Sequence, residues 1–149
     1  MKNFLSKKRN LMYKNGDTFE SKRLYSREEV LAFARLTGDN NPIHLDEEFG
    51  KKSQFGRNIV HGNLVVATFS ADIGNKFPGP GTIVIQKEIV FIRPVFIGET
   101  YTLLSKISSI DRNEHTAVIK CFLKNNSGKN CIRVINTIKN KDVFFRTCK

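Results

Sequence analysis

The hydrophobic pattern of this chain changes period along its length, and each change predicts an element. Ser26-Arg27-Glu28-Glu29 has the form of a capping box, with Ser26 as N-cap and Glu29 at N3. The apolar residues after it, Val30, Leu31, Phe33, Ala34 and Leu36, fit a 3.6-residue repeat and predict a helix. Thr37-Gly38 ends that helix, with Gly38 as a left-handed C-cap. Asp46-Glu47-Glu48-Phe49 predicts one further helical turn. Residues 59–74 are apolar nearly all round and longer than a normal strand, which describes a buried central helix capped by Gly74. Phe77-Pro78-Gly79-Pro80-Gly81 forbids its continuation and reads either as a stiff connector or as a wall around an entrance.

Beyond that connector the pattern turns strand-like. Residues 82–91, 100–110, 116–123 and 131–138 are rich in β-branched residues and predict four strands. Ile97-Gly98-Glu99, Asp111-Arg112-Asn113-Glu114 and Asn125-Asn126-Ser127-Gly128 separate them as turns, so the strands read as a successive antiparallel meander. Upstream, Tyr13 to Phe19 reads as a turn opening into a short extended piece. One long apolar helix needs a sheet to cover it. The expectation is an α+β domain, a curved antiparallel sheet wrapped around a central helix.

Composition narrows this picture. A chain of 149 residues with 40% hydrophobic content and twelve Phe suits one domain with a real core. We place that domain at residues 13–149, after a basic tail at residues 1–12 that reads as disordered. Residues 1–11 carry no acid and lack an apolar signal-peptide core, which argues against secretion. The tail reads as a frayed extension or as residues upstream of a start at Met12, a short mitochondrial-type presequence being the other option. No apolar run reaches the roughly 18–20 residues of a membrane span.

The formal net charge is +11, but the basic residues do not form one stripe, and no aromatics interleave them as in nucleic-acid-binding modules. Such a surface equally suits a coenzyme's phosphates or an acidic carrier protein. Cys121, Cys131 and Cys148 are odd in number and lack metal spacing, so a disulfide framework is not expected and a reducing compartment is. The expected location is the cytoplasm, or the mitochondrial matrix if the source is eukaryotic.

The candidate chemistry lies in Thr37-Gly38-Asp39-Asn40-Asn41-Pro42-Ile43-His44-Leu45-Asp46. Pro42 and its neighbours read as a tight, non-helical turn. Asp39 and His44 are five apart, which would set them on different faces of a helix, whereas a loop closing over Pro42 could aim both at one point. A carboxylate and an imidazole so converged are the parts of a general acid–base pair. Downstream, Val60-His61-Gly62 opens the predicted central helix. Its N-terminus would present free N–H groups to a carbonyl gaining charge, unless Gly62 serves only close packing. Ser70 lies eight residues further, roughly on the same helical side, where a backbone i−4 bond is the simpler role for a serine.

Gly38-Asp39-Asn40-Asn41-Pro42-Ile43-His44, Phe55-Gly56-x-x-Ile59-Val60-His61-Gly62, Phe77-Pro78-Gly79-Pro80-Gly81 and Phe91-x-x-Pro94-Val95-x-x-Gly98-Glu99 together resemble the MaoC-like hydratase/dehydratase family, nearest its (R)-specific enoyl-CoA hydratases. The resemblance implies a hot-dog fold, and dimers or larger assemblies with acyl-thioester sites at the interface. It implies Asp39 and His44 as the catalytic pair, the Gly62 N–H on the thioester carbonyl, and Asn41 and Ser70 in support. The implied reaction is reversible hydration of trans-2-enoyl-CoA to (R)-3-hydroxyacyl-CoA, with no metal or redox cofactor and coenzyme A or pantetheine as part of the substrate. Alternatives are a (3R)-hydroxyacyl-acyl-carrier-protein dehydratase and a non-catalytic acyl-thioester binder. Two departures stand out: Asn63 where relatives often carry Met, and Glu99 where Asp is commoner.

Overall fold

In a computed structural model, described for residues 13–145, the chain forms one antiparallel sheet of five strands around a central helix. The proposed disordered tail and Cys148 lie outside the described residues. Strand β1 (Thr18–Leu24) precedes four helices, α1 (Arg27–Thr37), α2 (Pro42–Leu45), α3 (Glu47–Lys52) and α4 (Gly62–Asn75). Strands β2 (Ile83–Phe91), β3 (Thr100–Asp111), β4 (Thr116–Lys124) and β5 (Asn130–Lys139) follow.

The core is the sheet's inner face closed by α4. Strands β3 and β4 alternate buried and more exposed residues, as expected of a sheet with one face covered. Their inward residues Leu103, Ile107, Ile119 and Leu123 meet Val65, Val66, Phe69 and Ile73 of α4 in one cluster. Burial on this scale, at about 25 cal/mol per Å² of apolar surface, is the main stabilising term.

The meander expectation needs correcting. The sheet order is β1-β3-β4-β5-β2, so only β3, β4 and β5 follow one another as neighbours. Strand β2 pairs with β5 at one edge, and β1 fills the place beside β3 as a full strand. The cause is α4: the connector after it returns the chain to the sheet's far edge. Here Phe77 packs with Phe19 and Tyr13 and is 5% exposed, and the Phe77-Pro78 peptide is cis. These residues lie beyond the C-terminal end of α4, so the Phe77-to-Gly81 stretch is a connector and does not wall the cavity described below.

Local signals fared well where they were strong. Ser26 and Glu29 form the reciprocal capping box, and Gly38 caps α1 at φ 78°. Helix α4 outruns its predicted stop. It continues through Gly74 to Asn75, with Lys76 as C-cap.

The loop between α3 and α4 is organised by Asn58, itself 9% exposed. Its Nδ2 donates to the Ile43 and Asp46 carbonyls, both at 2.8 Å, while its Oδ1 accepts from Arg27 Nη1 at 3.4 Å. Gly50 lets this happen, because a Cβ there would sit 2.6 Å from Asn58 Nδ2 and 2.7 Å from its backbone N. Asn58→Ala removes the second donor of each carbonyl, which keep Ile59 N and Gly50 N, and leaves Arg27 one acceptor fewer; the loss should cost about 1–3 kcal/mol. We expect a Tm lowered by roughly 3–10 °C in thermal unfolding; an unchanged Tm would mean the bonds contribute nothing net.

Candidate active site

The Asp39–His44 segment is not the non-helical loop its composition suggests. Pro42 occupies the first position of the one-turn helix α2, where its missing N–H costs nothing. Asn41 is the N-cap, its side chain accepting from Ile43 N at 3.2 Å. The signal was in the sequence, since Asn-Pro is as good a helix start as a turn. Arg27 secures the other end of α2, with Nη1 donating to the His44 carbonyl at 2.8 Å and Nη2 to that of Leu45.

This turn drives His44 inward to 9% exposure. Its Nδ1 lies 2.8 Å from the Ile59 carbonyl. A carbonyl can only accept, so Nδ1 carries the proton and Nε2 presents a bare lone pair. Burial pushes the His44 pKa below 6.5. The Ile59 bond opposes that shift, His61 adds to it, and Asp39 opposes it. His44 is therefore a neutral imidazole near pH 7, able to accept a proton.

Asp39 is exposed and follows the left-handed Gly38. Its Oδ1 accepts from Asn41 N at 3.4 Å. Potential ligand atoms of Asp39, His44 and His61 all lie within 4.8 Å of one another, so the fold does bring the expected acid and base together. It adds a third member that motif reasoning passed over as part of Val-His-Gly. His61 is 2% exposed, and its ring centroid stands 3.9 Å from that of His44 at an interplanar angle of 31°. Such a cluster invites the question of a metal. One nitrogen of each ring is already committed to a backbone carbonyl, His44 Nδ1 to Ile59 and His61 Nε2 to Asp39, which leaves one nitrogen per ring for any such ion.

His44 borders a cavity of about 460 Å³, within the usual range of small-molecule sites. Phe55, Ile59, Phe91, Ile92, Val95 and Ile132 make its walls apolar, and Gly62 and Asn63 bring in the start of α4. The N-cap of α4 is His61, which makes no side-chain cap bond. Among the described residues the Gly62 and Asn63 N–H groups have no protein acceptor, so the positive end of α4 faces the cavity. Gly62 also serves packing: an added Cβ would lie 2.5 Å from Phe91 Cε1. The packing role does not exclude the other, since the Gly62 N–H still faces the cavity.

The remaining site candidates fare differently. Asn41 shapes the site through the cap of α2. Ser70 is two turns along α4, where its hydroxyl accepts from Lys87 Nζ at 2.7 Å, so neither an i−4 backbone bond nor a contact with Asp39 of the same chain is its role. Glu99 pairs with Arg57, whose guanidinium lies 3.8 Å over the Phe96 ring, and accepts from the Tyr101 hydroxyl at 3.2 Å. Cys121 is fully buried beside Ser105 and Asn136, and burial pushes its thiol up to about 11. It behaves as a core residue.

Comparison with known proteins agrees with this architecture. A 3-hydroxybutyryl-CoA dehydratase from Methylorubrum extorquens is 35% identical over 100 residues, covering 67% of this chain and 64% of that protein, a little under two thirds of its length. A mitochondrial 3-hydroxyacyl-[acyl-carrier-protein] dehydratase from Arabidopsis thaliana is 29% identical over 130 residues, covering 85% of this chain and 77% of that one. Among solved structures, an (R)-hydratase from A. caviae involved in PHA biosynthesis superposes with a TM-score of 0.84 at 28% identity, over 87% of this chain and 98% of that chain. The match extends to the hot-dog arrangement of sheet and helix. Residues 11–125 match the profile described as the MaoC like domain, and the chain belongs to that family.

Proposed function

We propose that this protein is a hydro-lyase that reversibly adds water to trans-2-enoyl-CoA thioesters, giving (R)-3-hydroxyacyl-CoA. The observation that carries the reading is a neutral His44, its Nε2 free, beside Asp39 at the wall of an apolar cavity that also meets the uncapped start of α4. Water held between Asp39 and His44 attacks C3. Asp39 takes a proton from it as general base, and His44 orients it and assists delivery of that proton to C2 on the same face. Charge shifting onto the thioester oxygen meets the Gly62 N–H. Acid–base catalysis of this kind contributes about 10²–10⁴-fold, and one such donor about 10²–10³-fold. The chemistry needs neither metal nor redox cofactor, because water and two side chains supply every proton.

A second reading, dehydration of (3R)-hydroxyacyl chains on an acyl carrier protein, uses the same residues in reverse. The net charge of +11 and the Arabidopsis relative favour it. Relative rates on coenzyme A and carrier-protein thioesters decide between them. A hot-dog thioesterase is poorly supported, because the one carboxylate of α4, Asp72, is engaged by Ser21 at 2.5 Å and Lys76 at 3.0 Å near the helix's far end. No described helix is long and apolar enough to cross a membrane. A cytoplasmic or matrix enzyme fits the free buried Cys121 and Cys131.

The working unit we propose is a homodimer. Among the described residues strand β2 has no neighbour on its outer side, and it exposes Ile83, Ile85, Val90 and Phe91, the apolar edge that invites a second copy. Any supporting part for Ser70 would then depend on that second chain. Light scattering should give twice the chain mass, and Val90→Lys should lower it; a monomeric wild type refutes the dimer.

Two measurements test the chemistry. Asp39→Asn should remove hydration of a short enoyl-CoA, followed as loss of its absorbance, at unchanged Tm; normal turnover would exclude Asp39 as base. The rate should also fall on the acid side. His44 works unprotonated and its pKa lies below 6.5, so activity holds above that value and is lost as pH drops through the lowered pKa. A limb in kcat/KM centred above 6.5 would contradict His44's role.

A further inference from the structure

We propose that His61 is the positioning residue of this site, its ring edge holding the Asp39 backbone and its ring face holding the His44 imidazole. The assignment rests on reading Asp39 and His44 as the hydration pair. Its first support is the hydrogen-bond pattern of the acid's loop. Asp39 N donates to Thr37 Oγ1, Asn40 N to the Gly38 carbonyl, and Asn41 N to Asp39 Oδ1, all within the same few residues. Asn41 caps α2 through Ile43 N and His44 N; among the described residues, the bond that ties Asp39 itself to a distant part of the fold is His61 Nε2–H donating to its carbonyl at 3.0 Å, across 22 positions of sequence. Without it an exposed carboxylate would be held only by the caps of α1 and α2 on either side of it.

The second support is the ring stack. His61 meets His44 at 3.9 Å between centroids and Phe33 of α1 at 5.0 Å, so it packs between the helix that precedes the Asp39 loop and the turn that carries His44. The third is what His61 leaves undone. A Ser, Thr, Asp or Asn at an N-cap would bond the first free N–H groups of its helix. His61 makes no such bond, and the start of α4 stays open to the cavity. Its Nδ1 is buried with no partner, a cost that a purely structural residue such as Phe would avoid. The charged and titratable groups around His44 are Asp39 from the preceding loop, His61 at the start of α4, and Arg27 of α1 on its backbone carbonyl.

Two variants separate the two roles. His61→Phe keeps a ring for the stack and loses the donor; His61→Gln keeps an N–H donor and loses the ring. On a short enoyl-CoA, His61→Phe should lower kcat about tenfold or more with KM little changed, since a small misplacement of reacting groups is costly. His61→Gln should restore most of that loss. In His61→Gln the His44 NMR titration midpoint should move up toward 6.5, with the acid limb of kcat/KM following it. Amide exchange at Asn40 and Asn41 should speed up in His61→Phe and not in His61→Gln. Unchanged kcat in both variants overturns the proposal, and so does a loss of Tm and activity in both with the His44 midpoint and amide exchange as in wild type. The NMR readouts do not need turnover. A wild type without hydratase activity refutes the proposed reaction, while the His44 midpoint and the Asn40 and Asn41 exchange rates still test the anchoring by His61.

Discussion

Everything at this site hangs on one hydrogen bond, from His44 Nδ1 to the carbonyl of Ile59. It joins a four-residue helix, too short to be stable alone, to the segment that feeds the central helix. It also chooses the tautomer, and so decides which nitrogen faces the cavity. Around it the backbone of the same segment is doubly tied, with Ile59 N donating to the Ile43 carbonyl and Val60 N to that of Val95. The sheet-and-helix core therefore reaches out through residues 59–61 to hold an exposed polar loop. Division of labour between a packed scaffold and a loop-borne site is the usual arrangement in enzymes.

Polar side chains at the border of the core do the rest of the work. Arg27 and Asn58 accept no role in the proposed chemistry, yet between them they satisfy four carbonyls of the α2–α3 region, those of Ile43, His44, Leu45 and Asp46. A buried carbonyl without a donor is expensive; the Ile43 and Asp46 carbonyls also hold backbone donors, so Arg27, on those of His44 and Leu45, matters most to the turn at Pro42. The acid of the pair is left outside this network and reached by His61 instead.

The elements with strong local signals were legible from the sequence. The capping box at Ser26, the left-handed Gly38, the apolar length of α4 and the hairpin turns of β3, β4 and β5 all follow from short-range chemistry. So were Asp39, His44 and Gly62 as neighbours, through the motif order. Sheet order was not legible, because nothing local tells β2 to pair with β5 instead of β3; that choice is made by where α4 lands the chain. The helical turn at Pro42 was missed because Asn-Pro-rich segments serve turns and helix starts alike. Arg27, Asn58 and His61 were hidden for a related reason. Their partners lie 12 or more residues away in sequence, and a single arginine or histidine carries no sign of such reach.

The placement of β2 has one more consequence. Phe91 ends that strand, rests on Gly62 and forms part of the cavity wall, and it belongs to the same unpaired outer edge. The surface on which a neighbouring chain could dock and one wall of the cavity are thus one piece of backbone. On the proposed reading, a substitution there would alter the width of the cavity and the fit of a second copy in a single step.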